Sequence, residues 1–419
     1  MFCGSCMHDN ALAKALSQLD FDIQLVPTYT PIRTDETDFS VDQVFFGGIN
    51  VYLQQKIPLM RWLPGFVDRF LDRPGLIKRV TSSSIDMASE ELGKLAVSML
   101  KGMKGNQRKE VRRLTSWLAE TAKPDAIVFT NALIGGCIPE IKKQVGVPVL
   151  VTLQGDDVFL DSLPENYRQQ CIEKINQLVS DIDGFIVHTE FFRNYMSQYF
   201  SIPIEKIHVT PLGIDTREFA GVQRPTDSNA GNAVTLGYLA RLAPEKGFHQ
   251  LADAFIELKQ TDAVPNLKLK AAGWLGSQNE AYANESFDKI RAAGFESDFE
   301  YVGSIERSEK IQFLSSIDVL SVPTTFLEPK GLYTLEAMAC GVPVVQPDHG
   351  CFPELVSETS GGLLFPASDK KAYLSKLSQL LNDAQLRQTY GENGKDAVFN
   401  SRDSNSMGLA TAEVIRKFI

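Results

Sequence analysis

Phe326-Leu-Glu328-Pro-Lys-Gly331-Leu-Tyr-Thr-Leu-Glu336-Ala-Met-Ala-Cys340-Gly341-Val-Pro-Val-Val345 decides how this chain is read. It predicts a loop, a short helix opening near Gly331, and a buried strand over Val342–Gln346, with another strand at Val319–Val322 before it. Gly341 suits a residue that ends a helix just ahead of a strand. Glu328 falls in the loop and Glu336 on the helix. At ~1.5 Å of rise per residue, Glu336 lies less than two turns from the helix start. Both carboxylates can therefore reach one pocket, at different depths. The amides of Gly331 and Leu332 lack partners within the helix and favour an anion. A carboxylate is a natural acceptor for two adjacent ribose hydroxyls or for those of a hexose. The plainer reading, with Glu328 as a cap and Glu336 facing solvent, fits poorly with the apolar residues around Glu336.

Upstream, Gly237-Tyr-Leu-Ala-Arg241-Leu-Ala-Pro-Glu-Lys246-Gly247 has the form of a strand, a turn and a helix start. Arg241 leaves the strand end and Lys246 precedes the next helix, so two cations flank a turn suited to a diphosphate. Around these blocks strands and helices alternate. Strands are expected at Val234–Ala240, Leu267–Ala272 and Phe299–Val302, and helices at Phe248–Thr261, Glu280–Ala293, Ser308–Ser316 and Leu332–Cys340. In the first half strands are expected at Phe21–Val26, Asp125–Thr130, Val147–Leu153 and Gly184–His188. Helices are expected there at Gln107–Glu120, Ile138–Gln144 and Glu165–Ser180. Such alternation predicts mostly parallel sheets. With 419 residues, the chain divides into two α/β domains. The N-terminal one takes 1–205 and a final helix at about 400–419, with a helical insert at about 50–105. The C-terminal one takes 206–399. A cleft where the strand ends of both sheets converge is the expected site.

Composition narrows the function. A formal charge of −10 with 22% charged residues argues against a broad nucleic-acid surface but leaves room for one small anion pocket. No apolar run approaches the ~20 residues of a membrane span, and a secretory pattern is missing from the N-terminus. Six cysteines in this length are too few for a disulfide framework and predict reduced thiols in a cytoplasmic protein. Cys3-Gly-Ser-Cys6 has redox or metal spacing, but no second pair completes a zinc site. The plainer reading is a tight turn leading into a helix that starts near Asp9-Asn10. The insert mixes Trp62, Phe66 and Phe70 with basic residues; it packs over its own domain or makes weak contact with a membrane surface.

Glu328-Pro-x-Gly-Leu-x-x-x-Glu336-Ala-Met-Ala-x-Gly-x-Pro and Gly237-x-x-x-Arg241-x-x-x-x-Lys246-Gly together carry a resemblance. The chain resembles retaining glycosyltransferases of family 4, whose GT-B fold has two Rossmann-like domains facing across a deep cleft. The likeness is strongest over roughly 187–366. It implies transfer of a sugar from a nucleotide sugar (UDP-, GDP- or ADP-sugar) to a hydroxyl of a glycan, lipid or small metabolite, with no metal or other cofactor. Arg241 and Lys246 would hold the diphosphate, Gly331 and Leu332 its distal phosphate, Glu336 the ribose, and Glu328 the donor sugar. Gly4 and Ser5 stand in the place of the family's N-terminal glycine-rich loop, and Glu354 in a loop that closes over the donor. Many members carry a histidine where this chain has Gln154, which cannot titrate; Asp156 or Asp157 would then orient the acceptor hydroxyl. Competing readings are an idle nucleotide-sugar-binding protein, a nucleotide-sugar epimerase and a sugar-phosphate synthase.

Overall fold

The computed structural model describes residues 4–29, 38–41, 44–61, 88–222 and 233–419. The chain divides into two compact units, one comprising Phe2–Thr210 with Gly408–Ile419 and the other Pro211–Met407.

The N-terminal unit is built on four parallel strands in sequential order: β1 (Ile127–Phe129), β2 (Val149–Thr152), β3 (Gly184–Val187) and β4 (Ile207–Val209). β2 and β3 are buried throughout, as expected of parallel strands covered on both faces. One apolar cluster joins Val149, Val151 and Phe185 to Ile138, Ile175 and Phe192 of the flanking helices. A second joins Leu150 and Ile186 to Leu16, Ala412 and Ile415, so the C-terminal helix packs on this sheet.

The C-terminal unit holds six parallel strands in the order β10-β9-β8-β5-β6-β7. They are β5 (Val234–Leu239), β6 (Leu267–Ala272), β7 (Phe299–Tyr301), β8 (Val319–Leu320), β9 (Val344–Pro347) and β10 (Gly362–Phe365). From β5 the strands run outward first through β6 and β7, then in the other direction through β8, β9 and β10. This is a doubly wound sheet whose strand order reverses between β5 and β8, and ligands bind such sheets outside the carboxyl ends of the strands at that point. The loops after β5 and β8 carry Arg241–Lys246 and Glu328, respectively.

Several expected elements take another form. Phe21–Val26 is not a strand: among the described residues it makes only an isolated bridge, Leu25 to Ser40, with no ladder partner continuing the pairing there. The turn expected at Cys3–Cys6 and the helix start at Asp9-Asn10 give way to a helix beginning at Gly4. Asn10 does not cap it; it is buried inside that helix, with its Oδ1 accepting the Phe39 amide at 2.9 Å. The stretch 203–213, where no strand is expected, contains β4. The loop after His349 contains a helix, Phe352–Thr359, whose Pro353 lies in its first turn, where a missing N–H matters least. Of the insert, Gly48–Lys56 and Ser89–Leu100 are helical, while Trp62, Phe66 and Phe70 lie outside the described residues, as does Cys3. Among the described residues no helix is long and apolar enough to cross a membrane.

Candidate functional site

In the C-terminal unit the two loops at the switch point are tied backbone to backbone. The Thr325 amide donates to the Glu245 carbonyl at 2.9 Å. Gly247, at φ +72°, comes so close to Pro323 that an added Cβ would meet its carbonyl oxygen at 1.8 Å. Only glycine fits there. This approach brings Lys246 to Glu328, with Nζ 2.6 Å from Oε2, the Glu328 side chain buried and that of Lys246 13% exposed. The Gly331 amide donates to the other oxygen of Glu328 at 3.4 Å, and the Tyr333 hydroxyl donates to Oε2 at 3.3 Å. Lys246 also lies over the rings of Phe326 and Tyr333, 4.6 and 5.4 Å from their centroids, a placement in which the π faces attract the cation.

An ammonium, a helix-start amide and a hydroxyl thus converge on one carboxylate. Burial alone would push the Glu328 carboxyl up, but the charge and hydrogen bond of Lys246, with help from the Gly331 amide, outweigh it and hold the group below the usual range. Gly350, at φ +61°, rests directly on the Glu328 backbone, where a Cβ would come within 2.6 Å of its amide nitrogen. The Cys351 amide donates to the Glu328 carbonyl at 2.8 Å. The loop after β9 therefore straps the glutamate in place. Glu354 follows in the first turn of Phe352–Thr359.

Arg241 is less engaged with this centre. Its guanidinium is partly exposed and pairs with Glu245 at 3.0 Å, while its carbonyl accepts the Tyr238 hydroxyl at 2.9 Å. Glu336 lies on the helix Leu332–Ala339, one turn beyond Tyr333. Its Oε1 takes the Lys310 ammonium at 2.6 Å. Lys310 and Tyr333 escape the sequence reading. Lys310 belongs to a helix whose buried residues are Arg307, Lys310, Phe313 and Leu314, and their i, i+3, i+6, i+7 spacing was the signal available.

In the N-terminal unit the polar residues gather at the carboxyl ends of the strands. Gln154 follows β2, and its amide nitrogen donates to Asp9 Oδ1 at 3.2 Å and to the Thr130 carbonyl at 3.0 Å. Asp156 is buried; Oδ1 accepts the Ala132 amide at 2.6 Å and Oδ2 the Gln154 amide at 3.2 Å. Both oxygens thus bind the turns after β1 and β2 together. His8, which stands near the Cys3–Cys6 spacing in the sequence, is buried with Nδ1 2.9 Å from Asp9 and its ring 4.6 Å from that of His188. Gly4 and Ser5 form the first turn of the helix that carries His8.

Asp157 differs from its neighbour. Its Oδ1 is buried with no hydrogen-bond partner among the described residues. Burial, followed by the charge of Asp156, pushes its carboxyl up to about 7. A carboxyl raised in this way weighs against folding once the unfolded chain ionises and the folded one does not. The penalty is absent below about pH 4, grows up to the folded value of about 7, and stays constant above it. Asp157→Asn is therefore expected to stabilise the protein at pH 8, by on the order of 1–3 kcal/mol, and the gain should vanish by pH 4. Urea unfolding of both proteins across that range checks the sign.

A doubly wound sheet with a cation-bearing loop and a glutamate-bearing loop at its switch point, in a chain that carries a second parallel-sheet unit, marks the GT-B class of α/β proteins. The family model described as "Glycosyl transferases group 1" matches residues 223–397, and "Glycosyltransferase Family 4" matches 94–218. The chain belongs to this family. It is 26% identical over 259 residues to a D-inositol 3-phosphate glycosyltransferase of Corynebacterium efficiens, covering 60% of this chain and 59% of the relative. It is also 26% identical over 299 residues to a glycogen synthase of Mycobacterium tuberculosis, covering 70% and 68%. The chain spans about six tenths of the length of the first of these relatives, 59%. Among solved structures, sucrose-phosphate synthase of Thermosynechococcus elongatus matches with a TM-score of 0.68 at 16% identity, over 97% of this chain and 91% of that one. HepE of Anabaena, solved in complex with UDP, matches with a TM-score of 0.64 at 20% identity, over 75% and 84%.

Proposed function

We propose that this chain transfers a sugar from a nucleoside-diphosphate donor to a hydroxyl acceptor, with retained anomeric configuration and without a metal ion. The observation that carries this reading is the convergence of Lys246, the Gly331 amide and Tyr333 on the Glu328 carboxylate at the switch point. Groups that grip one anion there are suited to the anionic end of a donor. In this reading Lys246 and Arg241 offset the charge that builds on the departing diphosphate, normally the largest local contribution to such a step. The amides of Gly331 and Leu332 hold the distal phosphate, Glu336 takes the ribose, and Glu328 turns to the donor sugar, with Glu354 nearby. Gly4, Ser5 and Gln154 are assigned to the donor from the N-terminal unit. Asp156, with both oxygens on backbone amides, holds the turn that presents Gln154 and does not act as a base.

The related proteins are named for acceptors as unlike as an inositol phosphate and glycogen, so similarity supports the donor side and leaves the acceptor to experiment. UDP-, GDP- and ADP-sugars are to be compared by thermal shift, followed by release of nucleoside diphosphate with and without chelator. One donor should raise the melting temperature by several degrees, and its turnover should be unaffected by the chelator. Stabilisation by none of them sinks the proposal, and stabilisation without any turnover in the presence of varied hydroxyl acceptors favours an idle binding protein.

A further inference from the structure

We infer that Lys310 is a positioning residue that presents Glu336 to the two ribose hydroxyls of the nucleotide; the inference rests on the donor-site reading above and deepens it. Lysine is rarely buried unless it is paired, and Lys310 is only 7% exposed. Its helix, Arg307–Ser315, is anchored at its start by a capping box between Glu306 and Glu309, and the Lys310 amide donates to the Glu306 carbonyl at 2.7 Å. From that fixed start the side chain reaches Glu336 on another helix, with Nζ 2.6 Å from Oε1 and side-chain exposures of 9% and 8%.

Docking of the helix does not account for this pair. Phe313 and Leu314 already pack it into the apolar cluster that contains Leu335 and Met338. A buried ion pair also gains little over an apolar pair of the same size, because both charges must leave water. What the pair does achieve is local. It fixes the orientation of the carboxylate and supplies its counter-charge. It also occupies only one of roughly four acceptor positions of that carboxylate. Among the described residues nothing bonds Oε2. The acceptor positions left over suffice for two adjacent hydroxyls, while the ammonium keeps a bare buried charge from opposing nucleotide entry. Without Lys310, Glu336 is a buried carboxylate with neither a set orientation nor a counter-ion, and the two hydroxyls lose their reader while the phosphate contacts at Lys246 stay intact.

The test uses the full chain and titration calorimetry with UDP, GDP and ADP, each against its 2′-deoxy form. The wild type should prefer the ribonucleotide of its own base by about tenfold, the range for hydrogen bonds to a charged group. Lys310→Met should lower that preference to near unity while the 2′-deoxynucleotide binds as before, and Lys310→Arg should restore most of it. In a Glu336→Gln background, Lys310→Met should change nothing further. That double variant, with no buried charge, also serves if Lys310→Met alone fails to fold. Full ribose preference in Lys310→Met, or a wild type that binds but does not discriminate, overturns the role of Lys310 and leaves the phosphate site standing. A wild type that binds none of the three nucleotides overturns the donor-site reading and this inference with it.

Discussion

Lys246→Ala is expected to turn over its donor sugar roughly 10²- to 10³-fold more slowly than the wild type, the scale of losing one preorganised electrostatic contact to a developing charge, about 3 kcal/mol. The same change strands Glu328, which is buried and bonded to Lys246 at 2.6 Å. Removing one partner of a buried pair typically destabilises by about 3–5 kcal/mol. Loss of activity by itself would thus be ambiguous. Lys246→Met combined with Glu328→Gln separates the effects, since it removes both charges. Its midpoint in urea should return close to the wild-type value, while donor turnover stays low. Wild-type kinetics in either variant would show that Lys246 does not hold the leaving group.

Gly247→Ala should be among the most damaging single methyl additions in the C-terminal unit. At φ +72° an added Cβ lies 1.8 Å from the Pro323 carbonyl oxygen, and no side-chain rotation relieves a clash with backbone. The loop after β5 must then pull away from the loop after β8, breaking the Thr325–Glu245 backbone bond and drawing Lys246 away from Glu328. A loss of about 3 kcal/mol or more is expected from strain and overpacking combined, with weaker nucleotide binding in whatever fraction stays folded. Denaturant unfolding read beside calorimetry with the preferred nucleotide checks both effects, and an alanine variant with unchanged midpoint would refute the close approach of the loops.

Buried parallel strands announce themselves as short, mostly apolar runs, which is why β2 and β3 were legible in the sequence, while β6 showed instead as an alternation of Leu and Lys. The signal fails where the run is brief or interrupted. Gly362-Leu-Leu-Phe365 begins with the residue that usually marks a turn, and Phe352-Pro353 carries a helix breaker that is harmless in a first turn. Phe21–Val26 fails in the opposite sense: its pattern suits a strand, but a strand exists only where a neighbour completes its hydrogen bonds. Lys246 and Glu328 could be placed at the site from motif spacing. Their mutual bond, and the one between Lys310 and Glu336, span 82 and 26 residues and leave no local trace in composition or periodicity.

The Lys246–Glu328 pair has one more effect, on what the resting protein ignores. An open cluster of cations would collect inorganic phosphate, nucleoside triphosphates and acidic metabolites from any crowded solution. Here the ammonium already has an internal occupant, tucked away where bulk salt screens it weakly. On the proposed reading, a bystander anion would have to compete with that carboxylate for the ammonium. If the proposed donor site holds, a sugar diphosphate would bring both a replacement charge for the lysine and hydroxyls for the displaced glutamate, so admission would go to the molecule that can swap partners on both sides at once.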